Sequence, residues 1–214
     1  MDSQLDPSIS ALHAYWTRKR MDAPAPLRGA IAPADIVPLL GDVLILDASK
    51  PSVAPFRLAG TRFCAAFGRE LRGEDFLTLW PRRDAARVAE ALAAVTKEAA
   101  AVTLRVAGIN GRGQSMAAGM ILLPLSQDGR AIDRVLGLFA PAEHPTWLGL
   151  HPLRQLDVIA TGRLPSGKAP APAPRALQTD NPVPSVATPA KEPPADPSDL
   201  QSRPRLVVLE GGRR

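Results

Sequence analysis

The chain has one cysteine, Cys64, and three histidines, His13, His144 and His151. A single thiol excludes an internal disulfide and any zinc site built on several cysteines, and it suits a reducing compartment. His144 and His151 are seven positions apart, which is not the four-residue register of a helical metal pair. No apolar run approaches the ~20 residues of a spanning helix. The opening stretch "MDSQLDPSISALHAYW" carries acids and no long apolar segment, so neither a secretory signal nor an anchor is expected there. Basic residues outnumber acidic ones 26 to 21, but they are interspersed, with no basic run flanked by aromatics. A nucleic-acid surface is therefore not expected. Ser115 and Ser126 lack the flanking glycines of a nucleophile elbow, so no residue set stands out as a catalytic carrier. The reading is a soluble, cytoplasmic, non-enzymatic protein with no membrane span and no metal.

A phosphate loop is also missing, although one spacing imitates it. Gly68 and Gly73 are separated by four residues in "FGRELRGEDF", but Glu74 and Asp75 follow where a nucleotide-binding loop needs Lys and Ser or Thr. Two carboxylates there would repel a polyphosphate, so these glycines read as turn residues. Two arginine groups, Arg69 with Arg72 and Arg82 with Arg83 and Arg87, have the chemistry to grip a phosphate. Such spacing is also common on solvated helix faces.

Proline is abundant and unevenly placed. Eleven of the 23 prolines lie between Pro165 and Pro204, in a stretch without aromatics. Such a segment buries too little apolar surface to offset its ordering entropy and is expected to be disordered. The chain divides into an N-terminal helix and linker (1–32), a folded domain (33–163) and a Pro-rich tail (164–214). Near the end of the tail, Leu206, Val207, Val208 and Leu209 form a β-prone strip bracketed by arginines. It suits a docking motif that adds as a strand to a partner's sheet edge, or a segment that returns to the chain's own sheet.

Ahead of the tail the patterning is regular. Ser8 is placed to cap a helix running to about Arg20, with Ile9, Leu12 and Trp16 on one stripe and Tyr15 beside it. "IAPADIVPLL" offers a short helix with Ile36, Leu39 and Leu40 inward, and "DVLILD" and "PFRLAGT" read as paired strands. The longest helix is expected in "PRRDAARVAEALAAVTKEA", with Val88, Leu92, Val95 and Ala99 on its stripe. Three strands follow, over Val102–Gly108, Gln114–Leu123 and Ile132–Ala140. They are joined by hairpins at Asn110-Gly111 and Asp128-Gly129, both turn dipeptides. A final helix is expected over Leu153–Ala160.

This order of two strands, short helices, one longer helix and three antiparallel strands resembles a PAS domain. "YW" at residues 15 and 16, "LRGAIAPADIVPLL", "FRLAGT", "FGRELRGEDFLTLW" and the hairpin pair after the long helix are similar, in order and spacing, to a bacterial PAS-related family. Its members are largely uncharacterised and consist of one PAS fold and an N-terminal helix. The resemblance spans roughly residues 8–160. It implies an α+β fold with a five-stranded antiparallel sheet and helices packed on one face.

It also implies a sensory or regulatory role without catalysis, exerted on a separate signalling protein, with a small apolar ligand held between the sheet and residues 63–92. The candidate pocket residues are Phe63, Phe67, Leu71, Phe76, Trp80, Val88, Leu92 and Leu104. The histidines lie outside the segment that holds iron in haem-binding members, and Cys64 lacks the Asn-Cys-Arg-Phe context of flavin photoreceptors. A colourless protein without haem or flavin is therefore expected, and no cofactor is assigned. The stripe of Ile9, Leu12, Tyr15 and Trp16 must be buried either in a homodimer or on the chain's own sheet. A ligand-free dimerisation or adaptor scaffold, docking through its tail, is the alternative reading.

Overall fold

A computed structural model describes residues 5–50 and 52–164; the tail and the Leu206–Leu209 strip lie outside the described residues. Six strands form one antiparallel sheet in the order β2-β1-β5-β4-β3-β6. They are β1 (Val43–Asp47), β2 (Phe56–Ala59), β3 (Ala101–Asn110), β4 (Ser115–Leu125), β5 (Arg134–Pro141) and β6 (Leu153–Leu164). The helices are α1 (Pro7–Arg20), α2 (Thr61–Phe67) and α3 (Ala85–Lys97), with 3-10 segments at Arg28–Ala30, Pro33–Leu39 and Phe76–Leu79.

The sheet is covered on both faces, because its central strands bury side chains in both directions. Leu44 and Leu46 of β1, Leu122 of β4 and Phe139 of β5 join one cluster with α2 and α3. Val43 and Ile45, Ile121 and Leu123, and Leu136 and Leu138, each one step out of phase, join the other with α1. This period-2 split explains why "DVLILD" and "MILLPL" read as continuous apolar runs. The stripe of Ile9, Leu12, Tyr15 and Trp16 is buried on the chain's own sheet. Of the two uses the sequence allows, the structure displays the intramolecular one.

Asp6, not Ser8, caps α1: its side chain accepts from Ser8 N at 2.7 Å, with Pro7 in the first turn. Proline already fits there because its missing N–H is an orphan donor in any case, which moves the helix start two residues earlier. On α3 the buried residues are Val88, Ala91, Ala94 and Val95, while Leu92 is half-buried and Ala99 lies beyond the helix. The two alanines let the helix approach the sheet closely and turn Leu92 toward the flank.

The largest correction is at residues 153–160, a sixth strand rather than a helix. Leu153 and Leu156 have helical spacing, yet both reach the inner core from a strand. The β3–β6 ladder shifts between Ile109 and Asn110, so Arg154 is an extra residue, and again between Arg105 and Val106, leaving Ile159 extra. A bulge places residues three apart on one face, which imitates a helix in one dimension.

The glycines of the imitated phosphate loop are structural. Gly68 ends α2 at φ 64°, and Gly60, between β2 and α2, lies so close to residue 41 that a Cβ would sit 2.3 Å from the Gly41 carbonyl oxygen. At the first hairpin the positive φ falls on Gly113, not Gly111, because the Asn110 side chain makes the turn by accepting from Arg112 N and Gln114 N.

Candidate functional site

Under the sheet, α2 sets Phe63 and Phe67 four residues apart on one face, and the 3-10 segment after it delivers Phe76 and leads to Trp80. Asp75 caps that segment by accepting from Leu77 N and also accepts from Ala54 N, which locks it beside β2. The rings meet in a continuous set: Phe63 to Phe67 at 5.2 Å, Phe63 to Phe139 at 5.1 Å, Phe56 to Phe76 at 5.7 Å and Phe76 to Trp80 at 5.4 Å. The expected pocket residues are thus gathered into one cluster, with Leu92 at its edge. Phe56 belongs to the same set and was missed, since nothing in the sequence ties a β2 residue to this segment.

Phe63, Leu71, Phe76 and Val88 are fully enclosed, and the edge-to-face pairs Phe56–Phe76 and Phe63–Phe67 set ring against ring. One atom in the cluster is unsatisfied: the Trp80 indole N–H is buried and has no hydrogen-bond partner. Burying a donor without an acceptor costs roughly 1–3 kcal/mol.

Other candidates resolve into structural roles. The Cys64 thiol is half-buried, 3.8 Å from the Ala59 carbonyl oxygen, and burial pushes its pKa up, so it stays protonated. His13 stacks on Trp16, and burial, with Arg20 adding to it, holds its pKa below the usual value. Arg69 pairs with Glu74, Arg83 with Asp157, and Arg87 with Asp84 and the Val158 carbonyl. Asp84 also accepts from Val158 N at 3.0 Å, so this group fastens the start of α3 to β6. Of the five arginines that suggested a phosphate grip, Arg69, Arg83 and Arg87 are therefore spent on carboxylates. Among the described residues no group of three or more His, Cys, Asp or Glu side chains is placed to hold a metal, and no helix is long and apolar enough to cross a membrane.

On the outer face, beyond the N-terminal end of α1, β3, β4 and β6 leave a cleft of about 560 Å³ floored by Thr103, Ala117 and Gly119 and edged by Ile159. At the opposite end of that face Asp47 is nearly buried and heavily bonded. It accepts from Arg57 Nε at 3.0 Å, Arg134 Nη1 at 2.9 Å and Ser49 Oγ at 2.6 Å. Burial alone would raise its pKa, but the bonds from Ser49 and Arg57 and the charge of Arg134 outweigh it and hold the carboxyl at about 2. A carboxyl depressed in the folded state stabilises above its unfolded pKa of 3.8 and loses that contribution as pH falls through about 2. Chemical denaturation across that window should show stability declining on acidification, and Asp47→Asn should flatten the decline. An equal decline in the variant would assign it to other carboxylates.

The model of a family described as PAS domain matches residues 4–140. No curated protein matches this chain. Solved structures similar in fold include a Light-Oxygen-Voltage domain, at 14% identity and TM-score 0.42 over 52% of this chain and 86% of that one. A second is the Rhodobacter sphaeroides LOV protein, at 17% identity and TM-score 0.40 over 49% and 61%. A third is the PAS domain of an HTR-like protein from Haloarcula marismortui, at 20% identity and TM-score 0.38 over 50% and 89%.

Proposed function

This chain belongs to the PAS domain family, and from that premise we propose that it is a non-catalytic sensory or regulatory protein that acts on a separate signalling protein. Its ligand is a small, largely apolar molecule with one hydrogen-bond acceptor, taken into the ring cluster between α2, α3 and the sheet. The observation that carries this reading is the buried Trp80 N–H without a partner, set among Phe76 and the other rings. Entry requires the rings to part. The segment between Gly68 and Asp84 that carries two of them is made of turns and one short 3-10 element. Opening there must break the bonds that tie it to residues 54–56, from Gly73 N, Phe56 N, Phe76 N and Ala54 N, but leaves the six-stranded ladder intact. A cytoplasmic location fits the single thiol.

A second reading, a ligand-free adaptor, is favoured by the contact between the rings. Native mass spectrometry of the full chain, compared with a denatured sample, separates the two. The sensory reading expects a small retained mass that Trp80→Phe releases. No retained mass, with Trp80→Phe melting at or above the parent temperature, favours the adaptor.

A further inference from the structure

A cleft of about 290 Å³ on the outer face, at the β2 side of the sheet, is lined by four arginines from four separate segments. Arg28 comes from the 3-10 turn after α1, Arg57 from β2, Arg72 from the turn after α2 and Arg134 from β5. Backbone bonds fix two of these segments to the sheet region: Arg28 N donates to the Ser126 carbonyl at 2.7 Å, and Gly73 N donates to the Phe56 carbonyl at 2.8 Å. The ion-pair partners at the cleft are Asp47, which takes Arg57 and Arg134, and Asp133, which takes Arg134. Four guanidiniums meet these two carboxylates and Glu70, which accepts from Arg72 N at 3.0 Å, leaving an excess of one positive charge. Arg28 makes one long side-chain bond, from Nη1 to the Ile31 carbonyl at 3.4 Å. Arg72 forms no side-chain ion pair among the described residues, although its charge reaches Glu70. Leu58, 37% exposed, stands beside the arginines as an apolar wall.

We propose that this cleft binds a small phosphomonoester: its dianionic phosphate is held by Arg28 and Arg72 over the Asp47-anchored pair, and its apolar ester group lies against Leu58. A concave surface lined by one sign of charge concentrates anions, and planar guanidiniums present paired donors that match phosphate oxygens. Asp47 keeps Arg57 and Arg134 in place, while Arg28 and Arg72 retain donors for the ligand. Because Arg28 lies in the linker between α1 and the sheet, an occupied cleft ties that linker to β2. The site is separate from the ring cluster, so its outcome does not depend on the sensory reading.

The test is titration of the full chain with phenyl phosphate at fixed ionic strength, followed by amide chemical shifts and calorimetry. Shifts are expected at residues 28, 58 and 72, with phenyl phosphate tighter than inorganic phosphate and at least tenfold tighter than dimethyl phosphate, a monoanion. Arg72→Gln, at an exposed position without an ion pair, should fold normally and weaken binding about tenfold or more. Leu58→Ser should weaken phenyl phosphate several-fold and leave inorganic phosphate unchanged. The proposal is overturned if Arg72→Gln binds as the parent does, if shifts spread evenly over all arginines, or if a glutamate-rich peptide without phosphate binds equally well at the cleft.

Discussion

Leu104→Asp is expected to cost about 3–5 kcal/mol, because it strands a carboxylate in the inner core without a partner. Leu104 is 1% exposed and sits on β3 between Met120 of β4 and Thr161 of β6, facing the cluster of α2 and α3. No cation in that apolar cluster is placed to pair with the new charge, and Leu104 has no route to solvent through its neighbours. Against a typical domain stability of roughly 5–15 kcal/mol, this is a large fraction of the total. Urea denaturation followed by circular dichroism measures it. The neighbouring Thr103→Asp, on the half-exposed outer face, should cost less than about 1 kcal/mol. Equal effects at the two positions would show that the strand faces are assigned the wrong way round.

That pair of residues also marks what was legible. In β3, Val102, Leu104 and Val106 alternate with Thr103 and Arg105, and the strand faces follow directly. The three glycines at 60, 68 and 73 are equally readable, since an αL helix end and a close backbone approach each require the missing Cβ. Residues 153–160 were not readable, because two bulges fold a strand's phase into helical spacing, and a bulge is set by the partner strand rather than by the local sequence. The ring cluster was legible as a cluster and illegible as a cavity. Composition says which side chains are apolar, but Ala91 and Ala94 decide how near α3 comes and how little space remains. The arginine cleft was invisible for a different reason: Arg28, Arg57, Arg72 and Arg134 are scattered over the chain, and it takes the β2-β1-β5 order together with the bonds of the Arg28 and Arg72 segments to Ser126 and Phe56 to bring them to one place. The arginines that were adjacent in sequence, such as Arg83 and Arg87, turned out to be holding α3 to β6.

Removing the α1 anchor should be nearly as damaging as charging the core. Trp16 is 1% exposed on the outer sheet face, and its Nε1 donates to the Pro124 carbonyl at 2.7 Å. Pro124 lies where β4 has run past the first residue of β3, so that carbonyl depends on α1 for its partner. Trp16→Ala empties a large volume between α1 and β4 and strands the carbonyl, and a loss of about 3–5 kcal/mol is expected. Trp16→Phe keeps most of the packing and loses only the bond, so about 1–2 kcal/mol is expected. Deleting residues 1–20 goes further, because it bares Ile45, Ile121, Leu123, Leu136 and Leu138 together. An apolar patch of that extent on a free surface drives association. Light scattering should therefore find the truncated chain aggregated or self-associated, with a lower melting temperature than the full chain. A truncated chain with the parent's oligomeric state and melting temperature would mean that α1 only rests on the sheet, and that its apolar stripe serves some other contact.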